Sequence, residues 1–119
     1  MTITIFHNPR CSKSRKTLKL IEEAGFSPEI VKYLDSPPAA GRIRELAAAL
    51  GIPVAELLRR NEDEFQNADD LPDVDDDDGL AAWIEKHPRV LQRPIVIDDD
   101  TGTAVIGRPP ENVQELLQK

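Results

Sequence analysis

TITIFHNPRCSKSRKTLKLIEEAGFSPEIVKYL, residues 2–34, decides the fold. Thr2–His7 is β-branched and aromatic, the composition of a strand. Asn8-Pro9-Arg10 is a turn. Ser12–Ala24 then carries apolar residues at helical spacing. Leu18 and Ile21, joined by Leu20 and Ala24, are expected to face the core, whereas Lys16, Lys19, Glu22 and Glu23 are polar positions. Gly25 is the expected stop. Glu29–Leu34 is a second strand-like run. One helix-length crossover between two strands points to a parallel βαβ unit.

Outward from this unit, Asp35-Ser36-Pro37-Pro38 is a loop and Ala40–Leu50 a helix ended by Gly51. Val54–Arg60 reads as a short helix with Pro53 in its first turn. Residues 61–78 lose periodicity and turn acidic, ending in the run Asp75–Asp78, so a loop or a partly disordered insertion is expected. The run lacks the spacing of a calcium loop. Gly79–His87 is a further helix, bounded by Pro88. Ile95–Ile97 and Thr103–Ile106 are short strands joined by a hairpin turn at Asp98–Gly102. Asn112–Gln118, introduced by Pro109-Pro110, is the terminal helix. The order is βαβ, a helical insertion over about residues 38–90, then ββα. That is an α/β, thioredoxin-like order in a single domain spanning residues 1–119.

Composition narrows the function. With 119 residues and 4% aromatics, the core must be mainly Leu, Ile, Val and Ala. The net charge of −7 is uneven: residues 1–60 carry +4 and residues 61–119 carry −11. So acidic a chain is a poor nucleic-acid binder, and no nucleic-acid partner is expected. No apolar run approaches the roughly 20 residues of a membrane span. The opening MTITIFHNP has neither the basic region nor the apolar core of a secretory signal, so a cytoplasmic location is expected. The single cysteine excludes an internal disulfide and a cysteine-based zinc finger, and no metal site is expected.

That cysteine, Cys11, lies where a strand hands over to a helix. Unsatisfied N–H groups and the positive end of the helix dipole favour an anion at such a position, and can lower a thiol pKa substantially. The same terminus can bind an oxyanion. Arg10, Lys13 and Arg15 add positive charge, and His7 is close enough in sequence to pair with the sulfur. The alternatives are a packed thiol ringed by surface cations and a strand-end histidine that satisfies backbone groups. Arg93 and Arg108 each precede a proline, which holds the residue extended and helps aim its side chain. Pro94 stands before a short strand, where a thioredoxin-type fold commonly has a cis-proline facing its cysteine. Arg59 and Arg60 are expected to end the short helix. An arginine fork suits tetrahedral oxyanions, although each of these arginines alone reads first as a surface cation.

Taken together, His7-Asn8-Pro9-Arg10-Cys11, Leu57-Leu58-Arg59-Arg60-Asn61, Arg93-Pro94-Ile95-Val96 and Gly107-Arg108-Pro109 resemble, in order and spacing, the ArsC family of glutaredoxin-coupled arsenate reductases. Asn8–Arg15 and Ile106-Gly107-Arg108-Pro109-Pro110-Glu111 look most like its YfgD-like branch. The resemblance implies that Cys11 attacks arsenate as a thiolate. It implies that Arg59, Arg93 and Arg108 hold the oxyanion, and that His7, Asn8 and Pro94 support the site. It further implies no bound cofactor, glutathione as co-substrate, glutaredoxin as the partner that resolves the mixed disulfide, and arsenite as the released product. Arg10 and Ser12-Lys13 depart from the smaller residues common at these positions in arsenate reductases, and the chain ends without their longer C-terminal tail. Two other outcomes share the fold. One is a glutathione-linked thiol oxidoreductase without arsenate activity. The other is an Spx-like RNA-polymerase-binding regulator, against which Ser14 stands, since it replaces the second cysteine of a Cys-x-x-Cys switch.

Overall fold

The computed structural model describes residues 2–117. It divides into two compact units, residues 1–36 with 93–119 and residues 37–92.

The first unit is a four-stranded sheet of order β2-β1-β3-β4, with α1 and the C-terminal helix packed together on it. Strand β1 (Ile3–His7) is buried along its whole length, as a central strand should be. It pairs parallel with β2 (Glu29–Lys32), through α1 (Ser12–Glu23), and antiparallel with β3 (Ile95–Asp98). Strand β4 (Thr103–Ile106) returns antiparallel to β3 through a turn in which Gly102 has φ +71°. Ile3, Ile5, Ile21, Val96, Val113 and Leu116 form the core, where α1 and the terminal helix meet the sheet. This is the thioredoxin-like arrangement expected from the element order.

Three details of the first unit differ from the sequence reading. Strand β2 stops at Lys32, and Tyr33 beyond it is fully buried. Ala24 is exposed, and the buried stripe of α1 is Ser14, Thr17 and Ile21, with Leu18 and Leu20 only partly covered. Two of those three positions are polar, so hydrophobic periodicity could not find them. The terminal helix starts as a 3₁₀ turn at Pro110–Asn112 and continues as Val113–Leu117; Gln118, expected to end it, lies outside the described residues.

The second unit is helical. Helix α2 (Ala40–Leu50), ended by Gly51 at φ +72°, packs against the helix Asp77–Lys86. The expected helix Val54–Arg60 is instead a 3₁₀ turn, Val54–Leu57. Leu58 turns extended (φ −79°, ψ 128°) to bridge Leu91, and this pairing withdraws Arg59 and Arg60 from any helix. The acidic stretch is more ordered than expected. It contains α3 (Asp63–Gln66), and Asp76 caps the helix α4 (Asp77–Lys86) by accepting from Gly79 N–H at 3.0 Å. Asp70 accepts from Trp83 Nε1 at 3.0 Å. These aspartates are capping and tethering groups, a use of acidic residues that a charge run conceals. Among the described residues no helix is long and apolar enough to cross a membrane.

Candidate active site

Sheet register brings distant residues to one place. Because β1 and β3 run antiparallel with Phe6 opposite Ile95, the end of β1 lies beside the start of β3. Because β4 returns with Ile106 opposite Ile95, its end lies there too. The turn carrying Cys11 follows the first, Arg93-Pro94 precedes the second, and Gly107-Arg108 follows the third. Arg93–Pro94 is cis, as expected, and Arg108–Pro109 is cis as well, which the sequence reading did not anticipate.

Local hydrogen bonds shape the Cys11 turn. Asn8 C=O accepts from Cys11 N–H at 3.0 Å, and Asn8 Oδ1 accepts from Arg10 N–H at 3.0 Å. Arg15 Nη1 donates to Pro9 C=O at 2.9 Å. Cys11 is half-buried and occupies the N-cap of α1 in extended conformation (φ −93°, ψ 122°). A capping side chain normally accepts from the N–H groups two or three residues on. The neutral thiol makes no such bond. The ionised sulfur faces those same groups. Burial pushes the Cys11 pKa up, but the backbone N–H of Ser14, the Arg93 guanidinium and the backbone N–H of Lys13 outweigh it, so the thiol sits below its ordinary value. The thiolate thus takes the place of the missing cap.

Arg93 is the side chain that converges on the sulfur. Burial disfavours its charge, yet its hydrogen bond to Cys11 and its contact with Tyr33 more than compensate, and its pKa is raised. Arg108 reaches the same corner, with Nη1 3.4 Å from Arg93 C=O. Tyr33, whose hydroxyl faces the Arg93 guanidinium, went unnoticed in the sequence, where it reads only as a β2 residue.

His7 does not place its Nδ1 on the sulfur. That nitrogen lies 2.7 Å from Ser14 Oγ, and the same oxygen accepts from Asn8 N–H at 3.0 Å. Burial first, then the charges of Lys32 and Arg15, lower the His7 pKa, so the ring is neutral near pH 7. The ring tautomer sets which partner donates in the Nδ1–Ser14 Oγ bond. Ser14, fully buried, therefore ties His7 and Asn8 to the first turn of α1 and fixes the loop that carries Cys11. Nothing in the sequence distinguished Ser14 beyond its place three residues after the cysteine.

Gly107 joins the pieces. Its N–H donates to Pro94 C=O at 2.9 Å, and a Cβ there would lie 2.5 Å from Thr17 Oγ1 and 2.8 Å from Pro94 Cγ. Only glycine lets the end of β4 approach so closely. Gly107→Ala is expected to cost about 1–3 kcal/mol by overpacking, seen as a lower Tm. An unchanged Tm would refute this reading.

Arg59, expected with this group, lies in the second unit. There Nη1 pairs with Glu62 Oε1 at 2.7 Å, and its backbone N–H donates to Val90 C=O. Arg60 lies over the Phe65 ring, 5.8 Å from its centroid. Among the described residues no cluster of three or more His, Cys, Asp or Glu is placed to hold a metal ion.

Comparison with known proteins identifies the family and similar folds. The ArsC family profile matches residues 6–116. An arsenate reductase of Neisseria meningitidis serogroup A is 44% identical over 116 residues, covering 97% of each chain. The uncharacterized protein YfgD of Escherichia coli K12 is 41% identical, over 97% of this chain and 96% of its own. An arsenate reductase from Vibrio cholerae superposes with a TM-score of 0.84 at 38% identity, covering 97% of each chain.

Proposed function

This chain belongs to the ArsC family, and from that membership we propose that it is an oxidoreductase that reduces arsenate to arsenite through Cys11. The observation that carries the reading is the Cys11 sulfur, whose pKa is lowered by the backbone N–H groups at the start of α1 and by Arg93. The full-length similarity to proteins named arsenate reductase supports it.

In this reaction the thiolate forms a bond to arsenic, and an arsenate oxygen departs as water after taking up protons. The Cys11–arsenic adduct still holds As(V). Glutathione thiolate then forms a disulfide with the Cys11 sulfur, the S–As bond breaks, and its electron pair stays on arsenic, which leaves as As(III). The two sulfurs are oxidised as arsenic is reduced. Glutaredoxin reduces the Cys11–glutathione disulfide and returns the thiolate. The lone cysteine suits this scheme, because the other sulfurs come from outside the chain. No bound cofactor is needed, and a cytoplasmic setting supplies the reduced thiols. Arg93 and Arg108 hold the oxyanion and the charge that grows on attack. Arg59 is proposed as a third ligand on the strength of its motif alone.

The test is arsenate-dependent consumption of reducing equivalents with glutathione and glutaredoxin supplied. Arsenate-stimulated turnover is expected, with Arg59→Ala raising the KM for arsenate by roughly tenfold, as for loss of one charged hydrogen bond, and Arg60→Ala leaving it unchanged. Disulfide exchange with glutathione but no response to arsenate would overturn the reading in favour of a general thiol oxidoreductase.

A further inference from the structure

The loop that carries Arg108 is short of donors of its own. Pro109 and Pro110 follow Arg108 and bring no N–H to the turn. One side chain fills the gap. Asn112 Nδ2 donates to Ile106 C=O at 3.2 Å and to Arg108 C=O at 3.2 Å. These carbonyls flank Gly107, so the two protons of one amide hold both sides of one residue. Turning the amide over would set Oδ1 against two carbonyl oxygens, so the bonding fixes its orientation. The backbone adds to the clamp. Asn112 N–H donates to Pro109 C=O at 3.0 Å, and Arg108 N–H donates to Ile106 C=O at 2.9 Å. Asn112 has a firm base, because the next residue, Val113, is fully buried in the core where the terminal helix meets the sheet. The Arg108 side chain is long and half-buried, and its guanidinium contact with Arg93 C=O, at 3.4 Å, is at the loose end of hydrogen bonding. Its position therefore depends on its backbone, and Asn112 holds that backbone.

We propose that Asn112 is a positioning residue for oxyanion binding: its amide clamps the Ile106–Arg108 segment and so holds the Arg108 guanidinium at the Cys11 corner. This role rests on the proposed reading of Arg108 as an oxyanion ligand. An asparagine just before a helix has a simpler use as a cap, in which Oδ1 accepts from N–H groups further along the helix. Here the amide donates backward, into the loop. A cation set in place before the anion arrives needs no reorganisation when charge develops. An arginine on an unclamped loop has to be ordered by the anion itself, and that ordering weakens binding. Asn112 acts through Arg108. The Cys11 thiol takes its lowered pKa from the backbone N–H groups of Ser14 and Lys13 and from Arg93, which lie outside the clamp. Loss of the clamp thus weakens anion binding and spares the thiol.

The experiment follows protection of Cys11 from iodoacetamide by arsenate, in the intact protein without glutathione, so that anion binding is read apart from turnover. Arg108→Ala should raise the half-protecting arsenate concentration roughly tenfold, as for loss of one charged hydrogen bond. Asn112→Ala should raise it roughly fivefold, a partial loss of the same bond, and by no more than Arg108→Ala. The double variant should match Arg108→Ala alone, because both substitutions remove one interaction. Asn112→Gln keeps a two-donor amide and should bind nearer to wild type. Asn112→Asp keeps the shape but offers acceptors in place of donors. A carboxylate suits a helix start, so this variant should keep its helix content by circular dichroism while binding as weakly as Asn112→Ala. In each Asn112 variant the alkylation rate without arsenate, and its pH profile, should match wild type. Wild-type protection in Asn112→Ala and Asn112→Asp would overturn the proposal and leave the arsenate reading intact. A double variant weakened by about the product of the single effects, or an alkylation profile shifted without arsenate, would overturn it too, since Asn112 would then act by another route. Protection unaffected by Arg108→Ala would remove Arg108 from the oxyanion site and the proposal with it, and arsenate-dependent turnover of the wild type would decide the reductase reading separately. A wild type that arsenate does not protect would overturn both.

Discussion

Cys11→Ser is expected to reduce arsenate turnover to background, a loss on the order of 10³-fold or more, as for removal of an essential nucleophile. No other sulfur nucleophile exists in the chain. A serine oxygen ionises far above neutral pH and cannot form the disulfide that the proposed reaction requires. The fold should survive, because serine is a good N-cap and Cys11 is only half-buried. Circular dichroism and thermal melts beside the coupled assay separate the two effects. The pH dependence of stability gives an independent check. The folded thiol has a pKa below that of the unfolded chain, whose thiol titrates near about 8.5. Thiolate interactions therefore contribute stability that is fully present above the unfolded pKa and is lost as pH falls through the folded value. Wild-type Tm should carry this slope and Cys11→Ser should lack it. Turnover above background in the serine variant would exclude Cys11 as the nucleophile.

Arg93→Ala should have the second-largest effect, lowering kcat/KM for arsenate roughly 10²–10³-fold, the range for loss of one preorganised donor to developing negative charge. Two roles combine in this side chain. It donates to the Cys11 sulfur, and in the proposed reaction its fixed charge stabilises the oxyanion. Its loss should therefore raise the thiol pKa, read as an alkylation rate that falls at neutral pH and recovers in alkaline buffer. Arg93→Lys keeps the charge without the planar fork, and should retain an intermediate activity with a smaller pKa change. Tyr33→Phe removes a hydroxyl facing the guanidinium and should shift the alkylation profile in the same direction by less. An Arg93→Ala enzyme with wild-type turnover and an unshifted alkylation profile would remove Arg93 from the site.

Much of this protein is readable along the chain, because the signals are local. The run Ile3–His7, the helix from Ser12 and the turn between them follow from side-chain type and spacing, and they place Cys11 at a helix N-terminus without any knowledge of the rest. The hairpin Ile95–Ile106 and the helix Ala40–Leu50 with its Gly51 stop are local in the same sense. Tertiary structure decided what depends on a partner far away in sequence. Leu58 pairs with Leu91, so the helix expected to carry Arg59 and Arg60 ends at Leu57. Asp70 and Asp76 acquire donors in Trp83 and Gly79, so an acidic stretch that local propensity marks as unstructured becomes ordered. Ser14 and Thr17 are buried because the His7 ring and the close approach of Gly107 cover them, and no hydrophobic pattern reports a polar residue buried in this way. The sulfur's principal charged partner is decided by sheet register: 82 residues separate Cys11 from Arg93, and only the antiparallel pairing of β1 with β3 brings them within a hydrogen bond.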